Sequence, residues 1–503
     1  MGIGKKLISN TIYLFLDYLV LSTLSLIFWV IAGKSLDREG LGIVATTINL
    51  ILFISGITMF GIDSAVSKLI PEFLEKKKYK KIKLMLGSTL KFFLITNITI
   101  SIFLLIFSNF FSSFLKIPPI AFVSAASVLI FATLSKFLGS VLLGFQNMRK
   151  ITISDFIACM TRVIISIALV LLGFRHLGLI GGFIISVIML TLLRIDRNWI
   201  EFGKVDKKLK STIFKYATSA FLASIAVAIF ANSQTLILSS IKDPKATGTF
   251  SIALTYTSPI PVLVSTLSSA LFPIISQLSI DKSKTPVQSF LIQMVLRYSL
   301  LIVVPLSLIL TFFSKPIILI FSNPDFLPAT QIFPIMCLSG IFLGIGNLFL
   351  SSLYAMKKPV ILRNISFARS LIFLIFSIWL AYFLSYIGVA IARVIAGIFT
   401  LFMGFYYLKK YIEVRFPISA TLKILISSIP FFLLLFFSDL MEASILIKML
   451  VALIGGVIYL ICLIPLKFYT KEDVKLLEIF ASKSPLFKKQ VSILARFLSR
   501  YCD

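Results

Sequence analysis

Charged side chains inside long apolar segments are the residues of this 503-residue chain that could do chemistry. Arg162, Arg369, Arg393 and Lys136 lie within apolar runs, and Lys68 lies near the end of one. A charge at mid-bilayer costs at least about 2.5–3.5 kcal/mol, so such residues usually face a cavity or a partner. Because arginine forks match phosphate oxygens, we expect these five cations to bind an anionic substrate.

Structural explanations exist for some of these cations. Lys68 is close enough to the end of its segment to extend its ammonium to the membrane boundary. Asp155 and Arg162 are seven residues apart on one helical face, so local charge balance could explain that arginine. The sequence leaves both alternatives open.

Asp17 and Asp63 are the acidic exceptions within the first two apolar segments. A buried carboxylate can take up H⁺ or Na⁺ and so couple an ion gradient to a conformational change. A structural pair with a neighbouring lysine is the alternative. No cofactor is expected beyond such an ion.

The second half of the chain adds polar and helix-bending residues. Asn232 and Gln234 lie in one apolar segment, and Pro259 and Pro261 interrupt the next one. Proline frees backbone carbonyls and bends a spanning helix, which is tolerated where the backbone lines a cavity or meets a partner. These four residues are therefore candidates for lining a cavity.

Enzymatic signatures are scarce. The single histidine, His176, lies in a short connection and is interpreted as incidental. The sequence contains no Walker loop and no Cys/His metal spacing, and the four cysteines do not suggest a disulfide framework. We expect neither an enzyme nor a metal site.

Composition indicates an all-α polytopic membrane protein. The chain is 58% hydrophobic and only 14% charged, with a mean hydropathy of +1.04, whereas a soluble domain is about 25% charged. Apolar runs long enough to cross a bilayer recur throughout. We predict fourteen spans, at residues 8–33, 41–70, 84–110, 120–144, 152–173, 178–194, 213–240, 247–275, 290–313, 329–353, 361–384, 387–408, 419–438 and 446–466.

The net charge of +29 is placed as the positive-inside rule requires, and it does not indicate nucleic-acid binding. Lysine and arginine concentrate at the N-terminus, in the even-numbered connections and in the C-terminal tail. The densest basic loop is EKKKYKKIK, residues 75–83. We therefore predict a multi-pass protein of the cell (plasma or inner) membrane with both termini in the cytoplasm.

An internal repeat divides the first twelve spans into two sets of six. Gly42 and Gly248 open matching segments about 206 residues apart, and the polar connection 194–211 separates the halves. Two copies in the same orientation predict two six-helix lobes around an axis along the membrane normal. The expected domains are residues 1–199, 200–410, a further helix pair in 411–466, and a basic amphipathic cytoplasmic tail in 467–503.

Several stretches resemble a known family. They are AGKSLDREGLGIVA with GIDSAVSKLIPEF, ATGTFSIALTYTSP with SSALFPIISQLS, VPLSLILTFFSKPIILIFSNPDFLPATQIFPIM, and LSSLYAMKKP. The chain thereby resembles the O-antigen-type polysaccharide-transporter flippases of the multidrug/oligosaccharidyl-lipid/polysaccharide exporter superfamily. The resemblance implies a central cavity lined by spans one, two, seven and eight, with spans thirteen and fourteen as an extra pair.

The implied activity is translocation of a polyprenyl-(di)phosphate-linked oligosaccharide from the cytoplasmic to the outer leaflet by alternating access. The alternatives are an ion-coupled multidrug exporter of the same fold, a lipid-linked peptidoglycan-precursor flippase, and an integral-membrane glycosyltransferase. The expected partners are the lipid-linked substrate and membrane lipids, with glycan-assembly enzymes as further candidates.

Overall fold

A computed structural model describes residues 3–196, 199, 201–203 and 206–470, and within these ranges the secondary structure is helical. The amphipathic helix predicted in the tail, with Val491, Leu494 and Leu498 on one face, lies outside the described residues. The N-lobe, defined here as α1–α8, contains α1 (Ile3–Ser35), α2 (Arg38–Thr58), α3 (Ile62–Glu75), α4 (Tyr79–Ile106), α5 (Ser108–Leu115), α6 (Pro119–Gly144), α7 (Met148–Leu171) and α8 (Arg175–Arg194).

The C-lobe, defined as α9–α15, repeats this order. It contains α9 (Lys207–Ile241), α10 (Pro244–Thr257), α11 (Pro259–Leu278), α12 (Thr285–Phe312), α13 (Ser314–Phe321), α14 (Phe333–Ala355) and α15 (Pro359–Tyr411), with short 3₁₀ segments at Lys282–Lys284 and Pro324–Ile332. The extra pair is α16 (Ile418–Leu440) and α17 (Ile445–Cys462).

The predicted spans all fall on these helices. Twelve helical stretches among the described residues are long and apolar enough to cross a membrane. One of them, α15, is two spans joined at Ser385, whose φ of 53° and ψ of −133° are not helical. Counting its two parts separately and adding the 33-residue α1 gives the fourteen predicted. The prediction of an all-α polytopic fold is confirmed.

Spans two and eight are each broken in the middle. In the N-lobe, Phe60 and Gly61 have φ values of 48° and 72° between α2 and α3. A side chain at Gly61 would come within 2.4 Å of the Ala217 carbonyl of α9, so this left-handed turn packs directly on the other lobe. In the C-lobe, α10 ends at Thr257 and α11 begins at Pro259, as the proline positions predicted.

The lobes meet closely at the end of the bundle that carries the α1–α2 and α9–α10 connections, called here the hairpin end. A Cβ at Gly42 would lie 1.8 Å from the Pro244 carbonyl, and one at Gly248 would lie 2.0 Å from that of Arg38. The two helices α2 and α10 therefore cross backbone to backbone at matching glycines, which is the contact expected of a two-fold repeat.

Hydrogen bonds between the lobes reinforce this end. The Asn323 amide donates to the Gly33 carbonyl at 2.7 Å, and Lys116 Nζ donates to the Lys242 carbonyl at 2.6 Å. At the opposite end, called the basic end because it carries the 75–83 loop, the packing differs. There α3 packs on α4, α6 and α9, whereas α11 packs on α12 and α14. The lobes thus cross closely at the hairpin end, whereas at the basic end α3 contacts α9 of the other lobe and α11 packs on helices of its own.

Candidate functional site

The N-lobe contains a buried ion pair with its own hydrogen-bond network. Arg194 Nη2 donates to Asp155 Oδ2 at 2.6 Å, Nε donates to Ser154 Oγ at 3.1 Å, and Nη1 donates to the Ser135 carbonyl at 3.0 Å. Arg194 and Asp155 are 6% and 8% exposed. With its charge paired and its donors distributed in this way, Arg194 fastens α8 to α6 and α7.

Two sequence interpretations are corrected by this pair. Asp155 binds Arg194 rather than balancing Arg162 on its own helix. Arg194, counted above with the polar connection 194–211, is instead a buried residue in the last turn of α8. Arg194 lies where an apolar run meets a basic loop, so its burial could not be predicted from the sequence.

Asp17 extends this network to α1. Its carboxyl group interacts electrostatically with the Asp155 carboxyl and with the charge of Arg194. One Asp17 oxygen is buried without a hydrogen-bond partner among the residues whose side chains are described. Thr152 Oγ1 donates to the Tyr13 carbonyl at 2.9 Å nearby. Together these contacts attach the first half of α1 to α7.

Arg162 lies further along the same contact between α1 and α7. Its guanidinium carbon is 4.8 Å from the centre of the Phe28 ring, and the side chain is half-buried. Within the described part of the chain, its buried Nε has no hydrogen-bond partner. Arg162 is therefore held by a cation–π contact rather than by an acid.

Lys136 and Asp63 occupy the broken span of the N-lobe. Lys136 Nζ donates to Ser55 Oγ at 2.8 Å and to the Leu52 carbonyl at 3.2 Å, both on α2. Asp63, in the first turn of α3, interacts electrostatically with this ammonium. One turn beyond, the exposed Lys68 places Nζ 4.2 Å from the centre of the Tyr216 ring on α9. These groups surround the α2–α3 break.

The C-lobe brings Arg369 and Arg393 together on the two parts of α15. Their guanidinium carbons lie 4.4 Å and 5.6 Å from the centre of the same aromatic ring, that of Phe230 on α9. Arg369 Nη1 donates to Asn347 Oδ1 at 3.1 Å, and Arg393 Nη1 donates to Gln234 Oε1 at 2.7 Å. Each arginine is 7% exposed, and each Nε lacks a partner among the described residues.

The acceptors of these two guanidiniums are neutral amide oxygens. No ion pair joins either arginine to a carboxylate in the described ranges, although the two cations interact with each other. Gln234 is one of the residues predicted from the sequence, whereas Asn347 and Phe230 are not. Asn347 on α14 and Phe230 on α9 are ordinary residues in their own helices, so nothing in the neighbouring sequence indicates that they contact an arginine. The fold brings together five residues, called here the arginine pair: Arg369, Arg393, Phe230, Gln234 and Asn347.

The remaining predicted residues pack within the C-lobe. Asn232 Nδ2 donates to the Ala228 carbonyl of its own helix at 3.3 Å. Pro261 lies against Gly340 of α14, where a Cβ would approach its Cδ to 3.1 Å. Pro259 is the first residue of α11, where its missing N–H removes no helical bond. No cluster of metal-ligating side chains occurs among the described residues.

Comparison with solved structures identifies the class of fold. The chain is similar to "Lipid II flippase MurJ, inward closed conformation", with a TM-score of 0.71 and 19% identity over 90% of this chain and 98% of that one. It is also similar to an inward-facing multidrug resistance MATE family transporter, with a TM-score of 0.63 and 13% identity over 78% and 94%. The fold is that of the multidrug/oligosaccharidyl-lipid/polysaccharide exporter superfamily.

Family models place the chain within that class. The model described as "Polysaccharide biosynthesis protein" matches residues 7–279, and the MatE model matches residues 219–380. The chain therefore belongs to the polysaccharide biosynthesis protein family and is a multi-pass membrane protein. It is 20% identical, over 94% of its length and 98% of the other's, to the uncharacterized membrane protein MJ1068 of Methanocaldococcus jannaschii.

Proposed function

We propose that this protein is a flippase that moves a polyprenyl-(di)phosphate-linked oligosaccharide from the cytoplasmic to the outer leaflet of the cell membrane. The observation that carries the proposal is the arginine pair, in which two buried cations around one ring have amide partners and no acid. The family match to polysaccharide biosynthesis proteins supports the glycan, and the similar lipid II flippase supports a lipid-linked substrate.

The chemistry of the arginine pair favours a phosphate. Each guanidinium presents a planar fork of donors that matches phosphate oxygens, and here each retains an unpartnered Nε among the described residues. Burial of a cation without an acid is unfavourable until an anion arrives, so binding of an anionic head group would relieve that penalty. A cavity for cationic drugs would need the opposite charge, which disfavours the multidrug alternative.

The packing of the lobes supports alternating access. The lobes cross closely at the hairpin end, whereas at the basic end α3 and α11 pack mainly on other helices and leave Ser64, Lys68, Ser269 and Ala270 exposed. The positive-inside rule places the basic end in the cytoplasm, so this arrangement would admit a head group from that side. Rocking of the lobes about the crossing of α2 and α10 would then expose it to the outer leaflet, while the polyprenyl chain stays in the bilayer.

The N-lobe network is our candidate for ion coupling. Asp17 interacts electrostatically with Asp155, and Arg194 supplies a single positive charge to the two carboxylates. A bound H⁺ or Na⁺ would balance the second carboxylate in this low-dielectric site. Because Asp17 is on α1 and Asp155 on α7, binding or release of the ion would change how firmly α1 is attached. Asp63 beside Lys136 is a second candidate for the same role.

Reconstitution tests the proposed function. Protein in liposomes is given a fluorescent polyprenyl-diphosphate oligosaccharide, and access of a membrane-impermeant quencher to the label is followed over time, with protein-free liposomes as control. We expect protein-dependent exchange between leaflets. Selective exchange of a lipid-linked peptidoglycan precursor, efflux of cationic dyes instead of exchange, or release of free sugar would each replace the proposal with one of the alternatives named above.

A further inference from the structure

A large groove lies between α4 and α9, beside the break that separates α2 from α3. Its volume is about 1430 Å³, which exceeds the roughly 300–1,000 Å³ of ordinary small-molecule pockets. Five of its sixteen lining residues are phenylalanines, and two lysines are its charged residues. The five rings are Phe60, Phe92, Phe202, Phe214 and Phe221.

Helices of both lobes line the groove, and the ring of Phe60 contacts aromatic rings on both sides of it. Phe60, at the α2–α3 break, has its ring centre 5.5 Å from that of Phe92 on α4 and 5.5 Å from that of Phe221 on α9. Its backbone φ of 48° places it in the left-handed turn that packs on α9. An occupant of the groove would therefore contact both lobes at the position where span two is broken.

Lys91 and Lys210 give the groove its positive charge. Lys91 lies twelve residues after the start of α4, roughly 18 Å along the helix, and Lys210 lies in the first turn of α9. Both side chains are exposed, and neither makes an ion pair in the described part of the chain. The predicted span begins at residue 84, so Lys91 is seven residues, roughly 10 Å, inside it, and its ammonium can meet a phosphate near the membrane boundary.

The combination of walls and charges selects one kind of occupant. The lipid tails of a bilayer are as apolar as the phenylalanines, so the apolar wall alone would not prefer one lipid to the bulk lipids of the membrane. The two lysines supply the distinction because they attract a phosphate held at the head of a long chain. A neutral lipid would leave both cations without a partner.

We propose that the groove binds a polyprenyl phosphate, whose phosphate is attracted by Lys91 and Lys210 and whose isoprenoid chain lies along the phenylalanines. The identity of this lipid rests on the proposed function, since it is the carrier to which the oligosaccharide would be linked. The groove would hold the free carrier lipid beside the contact of α3 with α9.

Direct binding tests the proposal separately from transport. The full-length protein is placed in nanodiscs of neutral phospholipid, and binding of a polyprenyl monophosphate with a photoactivatable chain is measured by saturation and by mapping of the crosslinks. Lys91→Gln and Lys210→Gln should each weaken binding roughly tenfold, which corresponds to about 1.4 kcal/mol. Lys315→Gln, which changes an exposed lysine of α13, is the matched charge control and should bind as the parent protein does.

A second pair of variants tests the wall without altering charge. Thr218 lines the groove on α9 and Thr99 lies outside it on α4; both are exposed and hydrogen-bond to the carbonyl four residues earlier. Thr218→Trp should weaken crosslinking by obstructing part of the groove, whereas Thr99→Trp should leave it unchanged. Crosslinks should map to α4 and α9.

Three outcomes would overturn the groove proposal. They are equal affinity for the neutral polyprenol, equal competition by phosphatidylglycerol, and unaltered binding in the lysine and Thr218→Trp variants. Leaflet exchange is measured on the same preparations. Exchange without groove binding would leave the flippase proposal intact and remove this one, whereas binding without exchange would support the groove and contradict the flippase.

Discussion

The two lobes differ in how they pair their buried charges, although Arg162 of the N-lobe is held by an aromatic ring as the C-lobe arginines are. In the N-lobe, Arg194 is paired with Asp155, and Lys136 lies near Asp63. In the C-lobe, Arg369 and Arg393 are held by amide oxygens and a shared aromatic ring. The repeat thus preserved the helices but not the charges. Buried cations that are paired with carboxylates can hold helices together or exchange an ion. Buried cations without carboxylate partners would instead be stabilised by binding an anion.

Removal of the acid from the N-lobe pair should have the largest effect on stability. Asp155→Ala would leave Arg194 buried without its carboxylate, a change that typically costs 3–5 kcal/mol. Equilibrium unfolding in mixed micelles measures this loss. Lys284→Ala, which breaks an exposed pair with Asp281 at 3.9 Å, is the control and should cost at most about 1 kcal/mol. Similar values for both variants would show that the N-lobe pair is not structurally important.

Removal of a C-lobe cation should affect leaflet exchange strongly and the free energy of unfolding only slightly. Arg393→Met keeps an unbranched side chain against Phe230 but deletes a buried charge that has no acid, so the free energy of unfolding should change little. Leaflet exchange should fall roughly 10- to 100-fold, as expected for loss of a charge-assisted contact of about 1.5–3 kcal/mol.

The controls for this variant are Arg393→Lys and the corresponding changes at Arg369. Lysine keeps the charge but loses the fork, so partial activity should remain. If Arg393→Met destabilised the protein as much as Asp155→Ala while exchange per folded molecule stayed normal, the contrast between the lobes would be lost. Arg393 would then be a structural residue.

Asp17→Asn should have an intermediate effect and separates coupling from structure. Asparagine can still hydrogen-bond to Asp155 but cannot bind and release an ion, so exchange should lose its acceleration by an imposed H⁺ or Na⁺ gradient. Exchange without a gradient and the unfolding transition should both stay close to those of the parent. Gradient dependence that survives in Asp17→Asn but not in Asp63→Asn would move the coupling role to the α2–α3 break.

The sequence predicted the helices better than it predicted their partners. Long apolar runs and the positions of Pro259 and Pro261 are properties of neighbouring residues, so the fourteen spans and the break in span eight could be anticipated. The break in span two and the crossing of α2 with α10 at Gly42 and Gly248 were not predicted. Charge pairing depends on which helices touch. Asp155 could therefore be placed on a helix face from sequence, but its partner on α8 could not, nor could the single phenylalanine that joins Arg369 to Arg393.

Substitution of Lys68 should have the smallest effect on leaflet exchange, because this lysine belongs to neither of the two charge networks. Its ammonium is exposed above the Tyr216 ring at 4.2 Å, a contact worth about 0.5–1 kcal/mol at an exposed site. Lys68→Gln should therefore slow exchange by about fivefold at most, with unchanged unfolding, and Tyr216→Leu should reproduce the effect. The contact joins α3 to α9 across the lobes, so it belongs to neither charge network. A loss as large as that of Arg393→Met would place Lys68 in direct contact with the phosphate and extend the anion site into the N-lobe.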